Sequence, residues 1–334
     1  MKTTSNALTG FEELETRLLL SGDVSVILDS GNLTITGDAL ANDIRILDNN
    51  QGGIRVLGLN GTLINGASTA FNSGADSVAD VTASMKGGDD FVQFRADQAT
   101  GIVKIITSAG ADKVTVDSRA IIAKTLSVNT GTGDDCVKIS DSDVLGRGVI
   151  VTGAGNDKVI IDAETTIAKG ATLKTGDGND KFRAENSTVK GKVLVDLGTG
   201  NDREGLFDML FTGDHSWSGD DGVDVIVVDN TEFKRNVTVL GGTGRDYVIV
   251  TNNIFGRTSA DTLSVDTGGG NDFVVATDNT FNSDGLVDGG VGANDNLSES
   301  GNTFIGTIDD VNFEGTVAPT NITQLTNSVL NFNC

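Results

Sequence analysis

An acidic glycine turn, seen in full as TGDGNDKF at residues 175–182, occurs ten times along this chain at a nearly fixed interval. The aspartate that ends each turn is its anchor: Asp90, Asp112, Asp135, Asp157, Asp180, Asp202, Asp224, Asp246, Asp272 and Asp295, separated by 22, 23, 22, 23, 22, 22, 22, 26 and 23 residues. A repeat of this length is one supersecondary unit that buries its apolar face only by stacking on its neighbours. Glycine stands two residues before each anchor from Gly88 to Gly270, and Ala293 takes that place before the tenth. An apolar residue follows each anchor by two, as at Val92, Phe182 and Leu297, with Glu204 the exception. A third column lies nine after it, including Ile121, Val144, Val189, Phe211, Phe233, Phe255, Phe281 and Phe304, and pairs such as Val103/Ile105 and Val193/Val195 precede it by nine and seven.

Apolar positions that alternate within a unit mean strands, and columns that align between units mean stacked strands. The chain is therefore expected to be all-β: a right-handed parallel β-helix, or solenoid, of about ten 22–23-residue coils over residues 86–315, with about three short strands per coil. The hand follows from the general preference of parallel crossovers. Asp246 to Phe255 still counts nine, so the four extra residues of the 26-residue interval belong in a loop around Arg257–Ala260.

The flanks read differently. Over 22–85, VSVILDSGNLTIT and DIRILDNNQGGIRVLG are alternating runs joined by turn residues, which predicts antiparallel hairpins covering the open edge of the first coil. Asp43 there looks like a degenerate first copy of the repeat, and residues 316–334 are expected to cap the other end. In residues 1–21, Phe11, Leu14, Leu18 and Leu19 share one helical face. The stretch FEELETRLLLSGD, Phe11 to Asp23, also resembles the N-terminal motif of planctomycete extracellular proteins, F-E-x-L-E-x-R-x-L-L-S, with Phe11, Glu12, Leu14, Glu15, Arg17, Leu19, Leu20 and Ser21 placed on it. That resemblance implies an extracellular or cell-surface protein.

Composition narrows the partners. With 47 acidic residues against 24 basic and a net charge of -23, nucleic acid is disfavoured, and divalent cations or basic surfaces are favoured. No apolar run approaches the ~20 residues of a membrane span. Two cysteines, Cys136 and Cys334, are too few for a disulfide framework.

The anchor aspartate shares strand parity with the apolar residues two and four beyond it, so its carboxylate is expected to point inward. Ten carboxylates stacked about 5 Å apart repel by roughly 3–4 kcal/mol per neighbouring pair at an effective dielectric of about 20. Something must neutralise the column. GDGND followed by an apolar residue resembles the RTX calcium repeat, G-G-x-G-x-D-x-U-x. The resemblance implies Ca²⁺ between successive turns, held by carboxylates and backbone carbonyls. Asp135, Asp157, Asp180, Asp202 and Asp272 match most fully, with their neighbours supplying the second carboxylate. The alternative is metal-free, each aspartate accepting the N–H groups of its own turn. Two departures bear on it: one turn comes per 22 residues or so rather than per nine, and Thr107, Thr130, Thr152, Thr175 and Thr267 replace the first glycine.

A uniform solenoid reads as a structural or adhesive protein of the cell envelope or matrix, or as a subunit of an end-to-end fibre. A polysaccharide lyase or hydrolase on the same scaffold is the alternative. One Trp, one Tyr and one His leave little for a sugar-binding groove. One coil is odd: Glu204, His215 and Trp217 occupy columns held elsewhere by Val, Ile or Leu. Either they point inward as a candidate site, or a bulge turns them out to solvent, which is the expected outcome. Lys158, Lys181 and Arg203 form an outward stripe expected to screen the acidic column.

Overall fold

The computed structural model describes residues 21–97, 99–292, 294–316, 325, 326, 329 and 332–334. The export motif expected over Phe11 to Asp23 lies almost wholly outside them.

The repeats fold as a parallel β-solenoid with three strands per coil. The coil around Asp202 is typical, with strands at Val193–Thr199, Arg203–Phe207 and Leu210–Phe211. These belong to three long sheets: sheet I of 14 strands, sheet II of 13 and sheet III of nine. Sheets I and II meet at the glycine turn, where a further three-stranded sheet forms in the later coils. Successive coils pair residue for residue, Phe182 opposite Glu204 and Glu204 opposite Ile226. Alternate side chains of each strand enter a continuous Val/Ile/Leu/Phe interior. In sheet III the rings of Phe211, Phe233, Phe255, Phe281 and Phe304 stack at 5.1–5.2 Å between centroids. The extra residues of the long interval lie between Ile254–Phe255 and Thr262–Asp266, where insertion leaves the ladder intact.

Three column assignments shift by one residue. Ile122, not Ile121, pairs with Val144 and is buried. Asp43 pairs with Phe91, which puts Asn42 rather than Asp43 beside Asp90. Gly292 pairs with Gly270, so the glycine column continues there, and Ala293 lies outside the described residues. In the first and third cases a corner is one residue longer than in the neighbouring coil, so counting from the aspartate loses step; in the second, asparagine stands in the anchor position.

The N-terminal hairpins do more than cover an edge. Asn32–Thr36 and Asp43–Asp48 pair in parallel with Asp80–Ser84 and Phe91–Arg95, and so already belong to sheets I and II. Their antiparallel partners, Asp23–Asp29 and Ile54–Gly58, fold back outside them. The described residues of the segment expected as a C-terminal cap lie along the outer face of sheet II, and Cys334 is disulfide-bonded to Cys136 across 198 residues.

Candidate functional site

The glycine turn sets the geometry. From Gly110 to Gly270, each glycine two before the anchor has its Cα against the carbonyl of the equivalent glycine one coil earlier. A Cβ on Gly200 would lie 1.6 Å from the carbonyl oxygen of Gly178 and one on Gly222 1.5 Å from that of Gly200. No side chain fits, which is why the column is glycine. The close approach brings the anchor aspartates into register immediately after the turn.

All ten anchor aspartates point inward and are buried. Each Oδ1 accepts the main-chain N–H of the aspartate one coil earlier: Asp90 N–H to Asp112, Asp135 to Asp157, Asp180 to Asp202, Asp202 to Asp224 and Asp246 to Asp272, all at 2.7–2.8 Å. Asn42 N–H enters the ladder on Asp90, and Asp295 N–H leaves it on Glu314 Oε2. The metal-free alternative is thereby modified, because the donors belong to the previous coil and not to the same turn. The residues one before the anchors form a second ladder of opposite sense. Asn179 N–H donates back to Asn156 Oδ1, Asn201 N–H to Asn179 and Val223 N–H to Asn201.

The other oxygen, Oδ2, of every anchor aspartate is buried without a hydrogen-bond partner. From Asp90 to Asp272 burial raises these carboxyls, because the anion has lost its water. Asp90, Asp135, Asp202 and Asp246 are pushed to about 7. Burial, joined by Asp246, Asp202 and Asp220, pushes Asp224 to about 8, although the Asp202 N–H opposes it. Asp180 and Asp272 reach about 6, where the N–H groups of Asp157 and Asp246 oppose burial first and the hydroxyls of Thr175 and Thr267 second. The Thr175 proton is committed to the carbonyl of Leu197 at 2.6 Å, so its pull on Asp180 is electrostatic and leaves Oδ2 unbonded.

These oxygens are the hard anionic donors that Ca²⁺ takes. Beside Gly219, Asp224 Oδ2 and the carbonyl oxygen of Gly241 converge to within 2.5 and 2.6 Å of the point where a Cβ would stand. Two oxygens fall short of the six to eight that Ca²⁺ coordinates. Among the described residues no three His, Cys, Asp or Glu side chains converge as a metal group. The donor type fits Ca²⁺ and the donor number does not.

No protein-family model matches this chain, and no curated protein or solved structure does either.

The odd coil keeps its register, so the expected bulge is absent. His215 pairs with Val193 and Val237, and Trp217 with Val195 and Val239. All three side chains point inward, and both Glu204 oxygens, both His215 nitrogens and Trp217 Nε1 are buried without hydrogen bonds. The register holds because both neighbouring coils supply complete strands that fix the pairing. The His215 ring packs 4.6 Å from Phe211 and 5.4 Å from Phe233, centroid to centroid. Burial pushes Glu204 well above the usual carboxylate range and His215 down to about 3, so His215 is neutral near pH 7. A space of about 40 Å³, lined by His215, Glu299 and apolar residues, is too small for an organic substrate.

The basic stripe is in register on the outside of sheet II, Lys158 with Lys181 and Lys181 with Arg203. Lys181 Nζ lies 5.9 Å from the centre of the Phe332 ring. One polar ladder was missed in the sequence: Thr231 N–H donates to Asn253 Oδ1, Asn253 N–H to Asn279 and Asn279 N–H to Asn302. Its signal is the Asn two residues before Phe in TNNIF, TDNTF and SGNTF.

Proposed function

We propose that this protein is a structural module outside the cell, a solenoid serving the envelope or matrix as a scaffold or adhesive element. The observation that carries the reading is the unbroken residue-for-residue pairing from coil to coil, which devotes almost the whole described chain to stacking. Two others support it. The open groove on sheet III's flank, at Glu164, Asn186, Asp208, Asn230 and Glu232, has no aromatic residue among those lining it, unlike a sugar-cleaving site. The disulfide between the chain's two cysteines suits an oxidising compartment. Surface-protease shaving and fractionation of the producing cell should find the protein outside, with Cys136 and Cys334 oxidised. Recovery in the cytosol with both thiols free would overturn the reading.

Calcium binding along the aspartate column is the second reading, favoured by the unpartnered Oδ2 atoms and the carbonyls converging beside them. Anchor residues Asp90 to Asp295 would give one oxygen each, with turn carbonyls and water completing the shell. At about pH 8, Ca²⁺ added to chelated protein should raise the melting temperature by mass action, with Mg²⁺ much less effective. An identical melting curve with and without chelator would leave the N–H ladder and protonation as the only means of neutralisation.

A further inference from the structure

The outside of sheet II changes character along the solenoid. Its early strands turn polar residues outward, as at Lys113, Thr115, Lys138 and Ser140. From the coil of Asp202 onward the outward residues are Phe207, Val225, Val227, Tyr247, Ile249 and Val275, with Phe273 packed against them. These lie outside the solenoid and are nevertheless buried, in a second hydrophobic cluster completed by Leu325 and the fully buried Val329. Gly205 makes the seat, since a Cβ there would come within 2.6 Å of the Phe207 ring and 3.2 Å of Val329 Cβ. Phe332 lies nearer the start of the chain's coils, with Lys181 Nζ 5.9 Å and Arg183 Cζ 5.6 Å from its ring centre. Cys334 closes the run on Cys136, whose outward column continues through Lys158, Lys181, Arg203, Val225 and Tyr247.

The described C-terminal residues thus lie along the face of sheet II, against the order of the coils. A segment on a sheet face meets side chains alone, because the N–H and C=O groups of inner strands are taken by the strands on either side. Among its described residues Leu325, Val329 and Phe332 make apolar or cation–π contacts with that face, and ordering its backbone opposes them residue by residue. The disulfide adds a covalent tie at the segment's last residue, on a strand of the same sheet. We propose that the Cys136–Cys334 disulfide is a redox latch that keeps the C-terminal segment seated on the outer apolar stripe, and that opening it releases the segment and uncovers the stripe while the solenoid stays folded.

Opening requires a dithiol reductant. One of its thiolates attacks a sulfur of the pair to give a mixed disulfide, and its second thiol displaces the protein sulfur. Cys136 and Cys334 gain two electrons and two protons as thiols, and the reductant leaves as its own disulfide. Newly made protein in a reducing compartment has the stripe open, and oxidation closes it.

The test uses the full chain with and without dithiothreitol, followed by hydrogen exchange, an apolar-surface dye and far-ultraviolet circular dichroism. On reduction, amides around Val329 and Phe332 should lose protection and dye fluorescence should rise, with the β spectrum unchanged. Cys334→Ser should show the same state without reductant. Undiminished protection after reduction would overturn the latch by showing that packing alone seats the segment. Loss of the β spectrum would overturn it too, making the disulfide a staple of the whole fold.

Discussion

The main-chain N–H of Asp202 donates to Oδ1 of Asp224, one coil later, at 2.8 Å, while Asp224 Oδ2 is buried with no partner. One oxygen of the carboxyl satisfies a buried donor, and the other makes its charge a liability. Repeated along the column, this division makes protonation part of the fold.

The first prediction is a dependence of stability on pH opposite to that of most proteins. An anchor aspartate has an ordinary value of 3.8 when unfolded and about 6 to 8 when folded, at Asp90, Asp135, Asp180, Asp202, Asp224, Asp246 and Asp272. The folded chain therefore holds more protons over this window, and stability falls as pH rises. The contribution is complete below about pH 4 and is lost as pH passes through 6 to 8. Melting in chelator should be highest near pH 5 and lower at pH 8.5. A curve that is flat or rises over that interval would contradict the protonated column.

The second separates the two oxygens of one residue. Asp224→Asn keeps an acceptor for the Asp202 N–H and cannot ionise, as the buried asparagines at 253 and 279 show is compatible with this kind of ladder. It should raise the melting temperature at pH 8 and flatten the pH dependence, whereas exposed Asp141→Asn should not. Asp224→Ala strands the buried N–H and should lower stability by about 1–3 kcal/mol at every pH. Equal behaviour of the Asn and Ala variants would show that the ladder bond does not matter.

The third concerns the odd coil. Glu204 interrupts a column formed by Phe182 and Ile226 and has no partner for either oxygen. Glu204→Val removes two unsatisfied buried atoms and should stabilise the protein by roughly 1–3 kcal/mol. The gain should be largest at high pH, where keeping a protonated carboxyl is hardest. A loss of stability, rescued by also replacing His215, would instead reveal a working pair between the two.

The repeat made the stacked architecture legible because apolar side chains recur at the same offset from Asp112 as from Asp246. Offsets from the aspartate fail where a corner is one residue longer, which puts Ile122 and not Ile121 in the column, and the anchor position before Asp90 is hidden because asparagine, Asn42, occupies it. The inward carboxylates followed from strand parity. Their donors did not, since the N–H reaching Asp224 lies 22 residues away at Asp202 and belongs to another coil. Glu204, His215 and Trp217 stood out as breaks in columns, but their direction depends on neighbouring strands holding register. The seat of Val329 was invisible, because residues after 316 carry no repeat to align with Phe207 or Val225.

The last prediction tests the glycine stack itself. Gly200 has φ +138, and a Cβ there would sit 1.6 Å from the carbonyl oxygen and 2.5 Å from the carbonyl carbon of Gly178. Both are backbone atoms of a paired coil, so the coils must separate locally, breaking the adjoining Asp180-to-Asp202 bond. Gly52 has φ +90 as well, but its Cβ would meet nothing within 4 Å. Gly52→Ala bears only the conformational penalty, about 1 kcal/mol, whereas Gly200→Ala should lose more than about 3 kcal/mol or fail to fold. Urea melts of the two variants decide the matter. Similar losses would mean that backbone conformation, and not close approach between coils, fixes glycine in this column.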